Sequence, residues 1–543
     1  MKKKTLALIL ACLITVSAAG CGAPAAETTA AETTATGTTA APAAPAAEAQ
    51  AVPQELVIGE NEDLGGYDPM SNMNPFTIRA LIFNTLVQLD YDYTMKPALA
   101  ESWEMAPDGK TWTFHLRQGV TFHDGEPWNA EAAKFNWEER IAAGKDGAAG
   151  FLKAIDSMET PDEYTFVVNL SKPYFTFASE ITPPMYSMVS PKAFDENHEV
   201  TAAIGTGAFK LDSWKKDSEI VLVKNGDYYD GAPELDKITF KVIPDSNSRA
   251  LALESGEIDM MSGRSALTSL ETLKKLDNIQ VIKTMGQTSV FCLMNTHCEL
   301  LSDIRMRQAI AHAVDFTTTV PQLLGDLAEP AVNLFSPVFG EFIDPSVKLP
   351  AYDPDETMRL LTELGYQDTD GDGFVDKGGQ KLTIDVIVTA NNEEDKALCA
   401  IMQDQLKKVG IELTITPLDG ATLRANTTGG EYQLAMQGQN YVPNNDPTIN
   451  YTGYFTSDSI YNVYSDDTLD AMVEDLRNSL DKDARLQMHK QIQKYILDQT
   501  PLIMVFHRNN IVLCDQKVAD FKIAAGTWQL YKGLEHTRIL GES

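Results

Sequence analysis

From residue 55 onward, the spacing of the apolar residues switches repeatedly between every second position and every third or fourth position. This switching restricts the chain to folds that mix strands with helices. Alternating apolar and polar residues predict strands, whereas apolar residues three or four positions apart predict helices. The predicted strands are 56–59, 112–116, 164–170, 220–223, 238–243, 289–295, 382–388, 412–416 and 502–506. The predicted helices are 130–141, 246–253, 304–314, 355–364, 395–409, 469–480 and 484–497. Strands and helices interspersed in this way predict α/β lobes.

The chain has 543 residues. A single apolar core stops growing at about 250–300 residues, so we expect two or more lobes. The formal charge of −33 argues against partners such as nucleic acid and against adsorption to an anionic bilayer.

The N-terminus has the order of a secretion signal. Lysines at 2–4 precede an apolar run at 6–16 and small residues at 17–20. The run is shorter than the roughly 20 residues of a membrane-spanning helix, and no later stretch is long and apolar enough to span. We interpret residues 1–20 as a signal peptide that is removed.

The run AAGC at 18–21 resembles a bacterial lipobox, whose cysteine receives diacylglycerol, although Ala18 stands where leucine is usual. Plain secretion, with Cys21 as an ordinary residue, is the alternative. Residues 21–54 are interpreted as the lipidated cysteine and a disordered tether, because a segment of Ala, Thr, Pro and Glu buries too little apolar surface to fold. The resemblance implies an extracytoplasmic protein anchored to the cell membrane through Cys21.

Four cysteines lie in the part that is expected to fold: Cys292, Cys298, Cys399 and Cys514. They are too few for a disulfide scaffold. Cys292 and Cys298 are close enough in sequence to form a bridge across a short turn, and buried free thiols are the alternative.

The stretch AESWEMAPDGKTWTFHLRQGVTFHDGEPWNAEAAKF, at 100–135, predicts a hairpin followed by a helix. The letters PDG at 107–109 predict the turn. Asn129 predicts the N-cap of the helix. The residues that alternate onto one apolar face of the hairpin are Trp112, Phe114 and Leu116.

This stretch resembles the signature of the extracellular solute-binding proteins of the peptide/nickel ABC importer family. Further similar segments follow in order: GTGAF at 205–209, SRALALESGEIDM at 248–260, IRMRQAIAHAVD at 304–315, residues 352–366, MQDQLKKVGI at 402–411, and Asp446 with Pro447. The resemblance extends from Glu55 to the C-terminus. It is closest to the nickel-binding branch around 130–136 and 203–261.

The resemblance implies a two-lobed α/β fold of the periplasmic-binding-protein (Venus flytrap) type, with a subdomain inserted in lobe one. On this pattern, residues 55–90, 204–300 and 501–543 form lobe one, residues 91–203 form the insertion, and residues 301–500 form lobe two. Ligand binds between the lobes, which close over it, and a membrane permease of an ABC importer receives it. We expect a monomer without a cofactor.

The resemblance also implies that three segments line the cleft: residues 72–79, 184–187 and 439–446. Aromatic and amide side chains of the kind found there are typical of small-molecule sites. Hydrogen bonding within turns is the alternative role for such residues. The candidate ligand-binding residues are Met73, Asn74, Phe76, Met185, Tyr186, Gln439, Asn440, Tyr441, Asn444, Asn445 and Asp446.

The ligand itself stays open. Peptide-binding members of the family place an aspartate, usually after a tryptophan, shortly before the Asp-Pro pair to receive the peptide's amino group. Here Pro443 and Asn440 stand at the corresponding positions. A buried ammonium without its carboxylate costs about 3–5 kcal/mol, so an ordinary free-amine peptide is disfavoured unless Asp446 or Asp68 substitutes.

The nickel branch uses a histidine downstream of Asp-Pro and arginines that hold a carboxylate-bearing chelator. This chain has no histidine between His312 and His489, and it has no arginine at Gly147 or Met185. What remains is a neutral, amide-rich and aromatic cleft, which suits a modified peptide, a small glycan or an uncharged organic solute. A metal chelate is the alternative ligand.

Asp368, Asp370, Asp372 and Gly373 follow the opening of a calcium-binding EF-hand loop, but Gly379 occupies the position of its bidentate glutamate. An ordinary loop between a helix and a strand is the alternative.

The sequence contains no serine-hydrolase elbow, zinc-protease helix or phosphate-binding loop, so we expect a binding protein rather than an enzyme. A secreted hydrolase and a sensory receptor with the same two-lobed capture are the alternatives of other classes.

Overall fold

The computed structural model describes residues 52–70, 76–144, 152–263, 269–440 and 445–541, with residues 437–440 as backbone only. The predicted signal peptide and Cys21 lie outside the described residues. Within the described parts, no helix is both long and apolar enough to cross a membrane.

The helices are α1 (Phe76–Ile82), α2 (Ala130–Ala142), α3 (Phe177–Glu180), α4 (Ser246–Glu254), α5 (Leu270–Leu273), α6 (Glu299–Ser302), α7 (Ile304–His312), α8 (Phe316–Leu324), α9 (Pro354–Glu363), α10 (Glu393–Lys408), α11 (Gly420–Gly429), α12 (Thr448–Tyr454), α13 (Asp467–Asn478) and α14 (Lys482–Asp498). The strands are β1 (Glu55–Glu60), β2 (Val87–Leu89), β3 (Met95–Pro97), β4 (Ala100–Met105), β5 (Thr111–Leu116), β6 (Ile155–Asp162), β7 (Thr165–Leu170), β8 (Phe209–Lys215), β9 (Glu219–Lys224), β10 (Lys237–Val242), β11 (Met260–Ser262), β12 (Ile279–Met294), β13 (Ala328–Pro330), β14 (Asp376–Lys377), β15 (Gln380–Lys381), β16 (Thr383–Thr389), β17 (Glu412–Leu418), β18 (Leu434–Asn440), β19 (Leu502–Asp515), β20 (Val518–Ala519) and β21 (Arg538–Ile539).

One large sheet runs through both lobes of the described chain, in the order β17-β16-β18-β12-β19-β11-β1-β10-β9-β8, with β13 added to β19. Lobe one contains β1 and β8 to β11, and lobe two contains β16 to β18. The long strands β12 and β19 pair with each other along most of their length; β12 also pairs with β18, and β19 also pairs with β11 and β13. The two-lobed α/β fold predicted above is therefore present, and two strands connect its halves.

Separate apolar cores pack against the large sheet. In lobe one, Val512 and Cys514 of β19 pack with Ile58 of β1 and Phe240 of β10. A second core contains Val290 and Cys292 of β12 with residues of β16 and α10, and it also includes Met261 of β11. The strand pair contributes to both cores because successive side chains of a strand point to opposite faces of the sheet: Val512 of β19 lies in the first core and Leu513 in the second.

The pairing of β12 with β19 is irregular at two places near its middle, between Met285 and Ser289 and between Val290 and Phe291. Met285 pairs with Asn509 and the next pair is Ser289 with His507, so residues 286–288 of β12 face a shorter stretch of β19. Gly286 lies so close to its neighbour that an added Cβ would be 2.7 Å from the carbonyl oxygen of Arg508. Such an irregularity bends a strand locally.

The inserted subdomain is built on a four-stranded antiparallel sheet, β4-β5-β7-β6. The predicted hairpin is confirmed, since β4 pairs with β5 and Gly109 at its turn has φ +70°. The predicted cap is confirmed as well: the side chain of Asn129 accepts a hydrogen bond from the backbone N–H of Ala132. Residues of this subdomain's core include Trp112, Phe114, Leu116, Trp128, Trp137, Phe166 and Phe177.

The structure shows a helix within one predicted cleft segment and decides between a disulfide and free thiols. Part of the predicted cleft segment 72–79 is helical: α1 begins at Phe76, because an apolar face over 76–82 packs into the protein. The described cysteines are free thiols, and no bridge joins Cys292 to Cys298. Cys298 is only half-buried, whereas Cys292, Cys399 and Cys514 are buried.

Candidate functional site

Asp446 lies just before α12, where it forms the centre of a buried polar network in lobe two. Its Oδ1 accepts hydrogen bonds from the backbone N–H of Thr448 at 2.9 Å and from the Thr448 hydroxyl at 2.5 Å. Its Oδ2 accepts a hydrogen bond from Nη2 of Arg485 at 2.9 Å. The side chains of Asp446 and Arg485 are 7% and 3% exposed, so this is a buried ion pair.

His489 extends the network from α14. Its Nε2 lies 3.5 Å from Oδ1 of Asp446, and its Nδ1 lies 3.2 Å from the hydroxyl of Tyr451. Burial alone would raise the pKa of Asp446, but His489 and then Arg485 and Thr448 outweigh it, so the pKa is lowered. Asp446 is therefore ionised, and its oxygens are engaged within lobe two.

Residues 172–180 of the inserted subdomain line the same cavity as residues 448–485 of lobe two, and we call this boundary the seam. Glu180, the last residue of α3, accepts a hydrogen bond from the hydroxyl of Thr176 at 3.1 Å. Burial raises the pKa of Glu180, and the negative charge of Asp446 adds to that effect. Two carboxyl groups from different parts of the chain thus influence each other across the seam.

Met185 and Tyr186 lie in a short 3-10 turn, Pro184–Tyr186, and both are mostly buried in the core of the inserted subdomain. Arg140 of α2 holds the turn, because its guanidinium donates to the carbonyl oxygens of Met185, at 2.7 Å, and of Ser187. Burial lowers the pKa of Arg140 to about 10, and the negative charge of Asp68 partly opposes this shift. Met185 and Tyr186 are therefore rigidly positioned.

Phe76, the first residue of α1, packs against Trp528 in a tilted arrangement, with ring centroids 5.0 Å apart and ring planes at 49°. Both rings belong to the apolar core of the inserted subdomain, where Phe76 is buried and Trp528 is partly buried. The contact joins two segments of lobe one, and both rings pack with the core of the inserted subdomain.

The seam encloses a cavity of about 360 Å³. One wall comes from the inserted subdomain and the other from lobe two, and charged groups of both signs occur on the lining. Its lining residues include Lys172, Tyr174, Phe175, Glu180, Thr448, Asp458, Glu474, Arg477 and Arg485.

Two contacts hold the seam beside the cavity. The guanidinium carbon of Arg485 lies 4.5 Å from the centre of the Phe175 ring, in a cation–π contact. Leu480 packs on the hairpin turn, since a Cβ added at Gly109 would lie 2.8 Å from the Leu480 side chain. A side chain at position 109 would therefore push the two bodies apart.

The predicted site residues are only partly brought together. Asp446 lies in lobe two next to the seam, and the half-buried Asn445 precedes it in the chain. Phe76, Met185 and Tyr186 instead pack into the apolar core of the inserted subdomain. Gln439 and Asn440 end β18, opposite Val290 and Ser289 of β12, and are described as backbone only. Met73, Asn74, Tyr441 and Asn444 lie outside the described residues.

The carboxylates of the acidic loop at 368–373 form hydrogen bonds and an ion pair with other groups of the protein. Asp368 accepts hydrogen bonds from the backbone N–H groups of Gly371 and Gly373, and Asp372 pairs with Lys381 at 2.8 Å. The ligand atoms of Asp368, Asp370 and Asp372 do lie within 4.8 Å of one another, but all three residues are exposed. Among the described residues, no other group of three metal-ligating side chains of this kind occurs.

Sequence reasoning missed the residues that form the two walls of the cavity. Glu180 and Phe175 lie in a short helix and the turn before it, and Arg485 lies on the buried face of α14. Their proximity depends on how the inserted subdomain meets lobe two. No local pattern around any of them indicates it.

Known proteins resemble this chain over most of its length. The family described as bacterial extracellular solute-binding proteins, family 5 Middle, matches residues 94–462. The oligopeptide-binding protein AppA of Bacillus subtilis is 26% identical over 458 residues, which cover 82% of this chain and 84% of that protein. The nickel-binding periplasmic protein of Escherichia coli is 28% identical over 394 residues, which cover 71% and 75% respectively. The crystal structure of NikA from Brucella suis in complex with Fe(III)-EDTA matches with a TM-score of 0.83 and 26% identity, over 90% of this chain and 100% of that one.

Proposed function

The chain belongs to the bacterial extracellular solute-binding proteins of family 5, and on this premise we propose that it captures a peptide or a similar small organic solute between its lobes. It is a substrate-binding protein of an ABC importer and not an enzyme, in line with relatives that are binding proteins for oligopeptides and for nickel. The captured solute passes to the membrane permease when the closed protein docks on it.

The observation that carries the proposal is the cavity at the seam, one wall of which belongs to the inserted subdomain and the other to lobe two. Lobe closure is a shift between two populations, and a ligand drives it only by binding the closed state more tightly than the open one. A micromolar ligand supplies about 8 kcal/mol, which exceeds a closed-state penalty of a few kcal/mol. Charged and aromatic groups on both walls give a ligand such closed-state contacts.

We also propose the lobe boundaries given above: residues 55–90, 204–300 and 501–543 for lobe one, 91–203 for the insertion, and 301–500 for lobe two. The pairing of β12 and β19 across both lobes supports them. A lipid on Cys21 would keep this extracytoplasmic protein at the membrane, beside its permease, and the protein would act as a monomer.

A metal chelate is the second candidate ligand, because the similar NikA structure holds Fe(III)-EDTA. Direct nickel binding through histidine has less support in the described chain. His489, the histidine nearest to Asp446, is fully buried between Tyr451 and Phe342. It therefore serves the lobe-two network and presents no nitrogen to the cavity.

Native mass spectrometry of the protein purified from its own cells tests the proposal. We expect a one-to-one noncovalent complex whose extra mass identifies a peptide or another small organic solute. A bound ferric or nickel chelate would favour the second candidate. Catalytic conversion of an added solute, with no retained ligand, would contradict both.

A further inference from the structure

An apolar depression of about 780 Å³ lies in lobe two, between the loop at 331–349 and α14. Eight of its 13 lining residues are apolar, and Phe335, Ile343 and Val347 are among them. Val332, which also lines it, is 60% exposed. Contiguous exposed apolar surface of this kind marks a binding site more often than scattered apolar residues do. The depression shares no lining residue with the seam cavity.

The depression continues into a second one of about 240 Å³, because Ala331 and Leu349 line both. We call the two together the lobe-two groove. Lys490 lines the first part and Leu497 the second, and both belong to α14. Seven residues of α-helix rise about 10 Å, so the groove runs at least that far along the lobe. Its length suits a chain-like ligand.

The first part of the groove carries positive charge. Lys348 and Lys490 both line it, and in the described chain neither forms an ion pair. Glu341 also lines it but already pairs with another lysine at 3.2 Å. Asp344 of the same loop accepts hydrogen bonds from the N–H and the hydroxyl of Ser346, which, with Lys490 after them, lower the pKa of this acid. Two ammonium groups beside an apolar surface, in a protein of formal charge −33, favour an amphipathic anion.

The second part of the groove has the opposite character. Its lining includes the apolar side chains of Leu497 and Met504 and one carboxylate, Asp315. Asp315 caps α8, since its Oδ1 accepts a hydrogen bond from the backbone N–H of Thr318 at 2.9 Å. An anionic group is repelled from this end, whereas an apolar tail is accommodated. The groove therefore has a direction, from the lysines towards Leu497.

The lining favours an alkyl chain over a peptide segment. Polar groups of the loop are engaged inside the protein: the backbone N–H of Val332 donates to Nε2 of His507 at 3.1 Å. The side-chain amide of Asn333 donates to the carbonyl oxygen of Asp344 at 2.8 Å. A bound peptide needs partners for its own backbone N–H and C=O groups, whereas an alkyl chain needs only apolar contact.

We propose that the lobe-two groove binds a single-chain carboxylate of the fatty-acid class. Its carboxylate lies at Lys348 and Lys490, and its alkyl chain passes Leu349 towards Leu497. This is a second ligand site, separate from solute capture at the seam, and it stands whether or not the captured solute is a peptide.

The test is calorimetric titration with octanoate, octanol and octyltrimethylammonium, all below their micellar concentrations. The first variant is Val332→Asp, which puts a negative charge on the groove wall. Its matched control is Ile460→Asp, because Ile460 is 61% exposed in the same lobe and lines neither part of the groove. The second variant is the double change Lys348→Gln with Lys490→Gln, and its control is Lys407→Gln on the exposed face of α10.

We expect one octanoate per wild-type molecule, with octanol bound several-fold more weakly and the cation not at all. Val332→Asp should weaken octanoate binding roughly tenfold, because it removes apolar contact and adds a like charge. The double lysine variant should weaken it roughly three- to tenfold, as expected for two exposed ion pairs. It should leave octanol binding unchanged, and both controls should bind like the wild type. Melting temperatures without ligand show that each variant is folded.

Several results would overturn the assignment. These are no octanoate binding by the wild type, equal affinities of Val332→Asp and Ile460→Asp, or binding of the cation as tight as that of octanoate. Octanoate binding that Phe175→Ala abolishes and Val332→Asp retains would place the ligand at the seam instead. An acetylated and amidated Glu-Leu-Val-Leu peptide that binds more tightly than octanoate, and that Val332→Asp excludes, would show a groove made for a protein partner.

Discussion

The two lobes meet in two different ways, through the strand pair β12–β19 and through the seam. The strand pair is a long hydrogen-bonded connection with buried apolar side chains, and its register shifts only near residues 286–291 in the described chain. The seam is held by the Phe175–Arg485 contact and by Leu480 on Gly109, and it encloses a cavity. Capture by lobe closure requires one connection that stays intact and one that opens. The strand pair has the properties of the first, and the seam has those of the second.

The largest effect should come from the network that supports the lobe-two wall of the seam. Arg485→Ala leaves Asp446 charged and buried, which should lower the free energy of unfolding by about 3–5 kcal/mol. Denaturant unfolding followed by circular dichroism measures it. Arg359→Ala is the control, because Arg359 forms ion pairs with Glu356 and Glu363 while 53% exposed. A loss of unfolding free energy no larger than that of the control would show that the protein does not need this network for its stability.

The strand pair itself should be sensitive at its interruption. Gly286→Ala places a Cβ 2.7 Å from a backbone oxygen of Arg508, so the strands must shift, at a cost of about 1–3 kcal/mol. The matched control is Gly226→Ala, where an added Cβ meets no atom within 4 Å. Thermal unfolding compares the two variants. Equal stability of both would mean that the strand pair is looser at residue 286 than the contacts indicate.

Sequence patterns predicted the elements that are defined by their own neighbourhoods. The hairpin at Gly109 and the helix capped by Asn129 follow from local turn and cap residues. The strands β12 and β19 were predicted only in part, because polar residues occupy the rest of each. Asn510 is one example: it is buried, and its side chain donates to the carbonyl oxygens of Ala524 and Ala525. Such tertiary partners are invisible to a periodicity argument.

The candidate site was also predicted only where a local motif marks its residues. Asp446 was found through its Asp-Pro motif, but its role inside lobe two depends on Arg485 and His489, which no motif marks. Glu180 faces Asp446 only because the inserted subdomain meets lobe two. Contacts between residues so far apart in the chain are fixed by packing, which sequence reasoning did not reach.

The smallest effect should come from the seam contact, and it should fall on closure more than on folding. Phe175→Ala removes the ring from Arg485 and should cost about 1 kcal/mol of stability, while ligand affinity weakens several-fold because the closed state is less favoured. Phe374→Ala is the control, since Lys381 lies 4.2 Å from that ring within lobe two. Calorimetric titration with the solute identified by mass spectrometry measures affinity. Equal ligand affinities of the two variants would show that Phe175 does not contribute to closure.

Small-angle X-ray scattering of the ligand-stripped protein, recorded before and after its own solute is restored, tests lobe closure most directly. Hinge motion about β12 and β19 predicts a smaller radius of gyration with solute, as the seam closes. Scattering curves that stay identical while calorimetry shows that the solute has bound would contradict capture by closure.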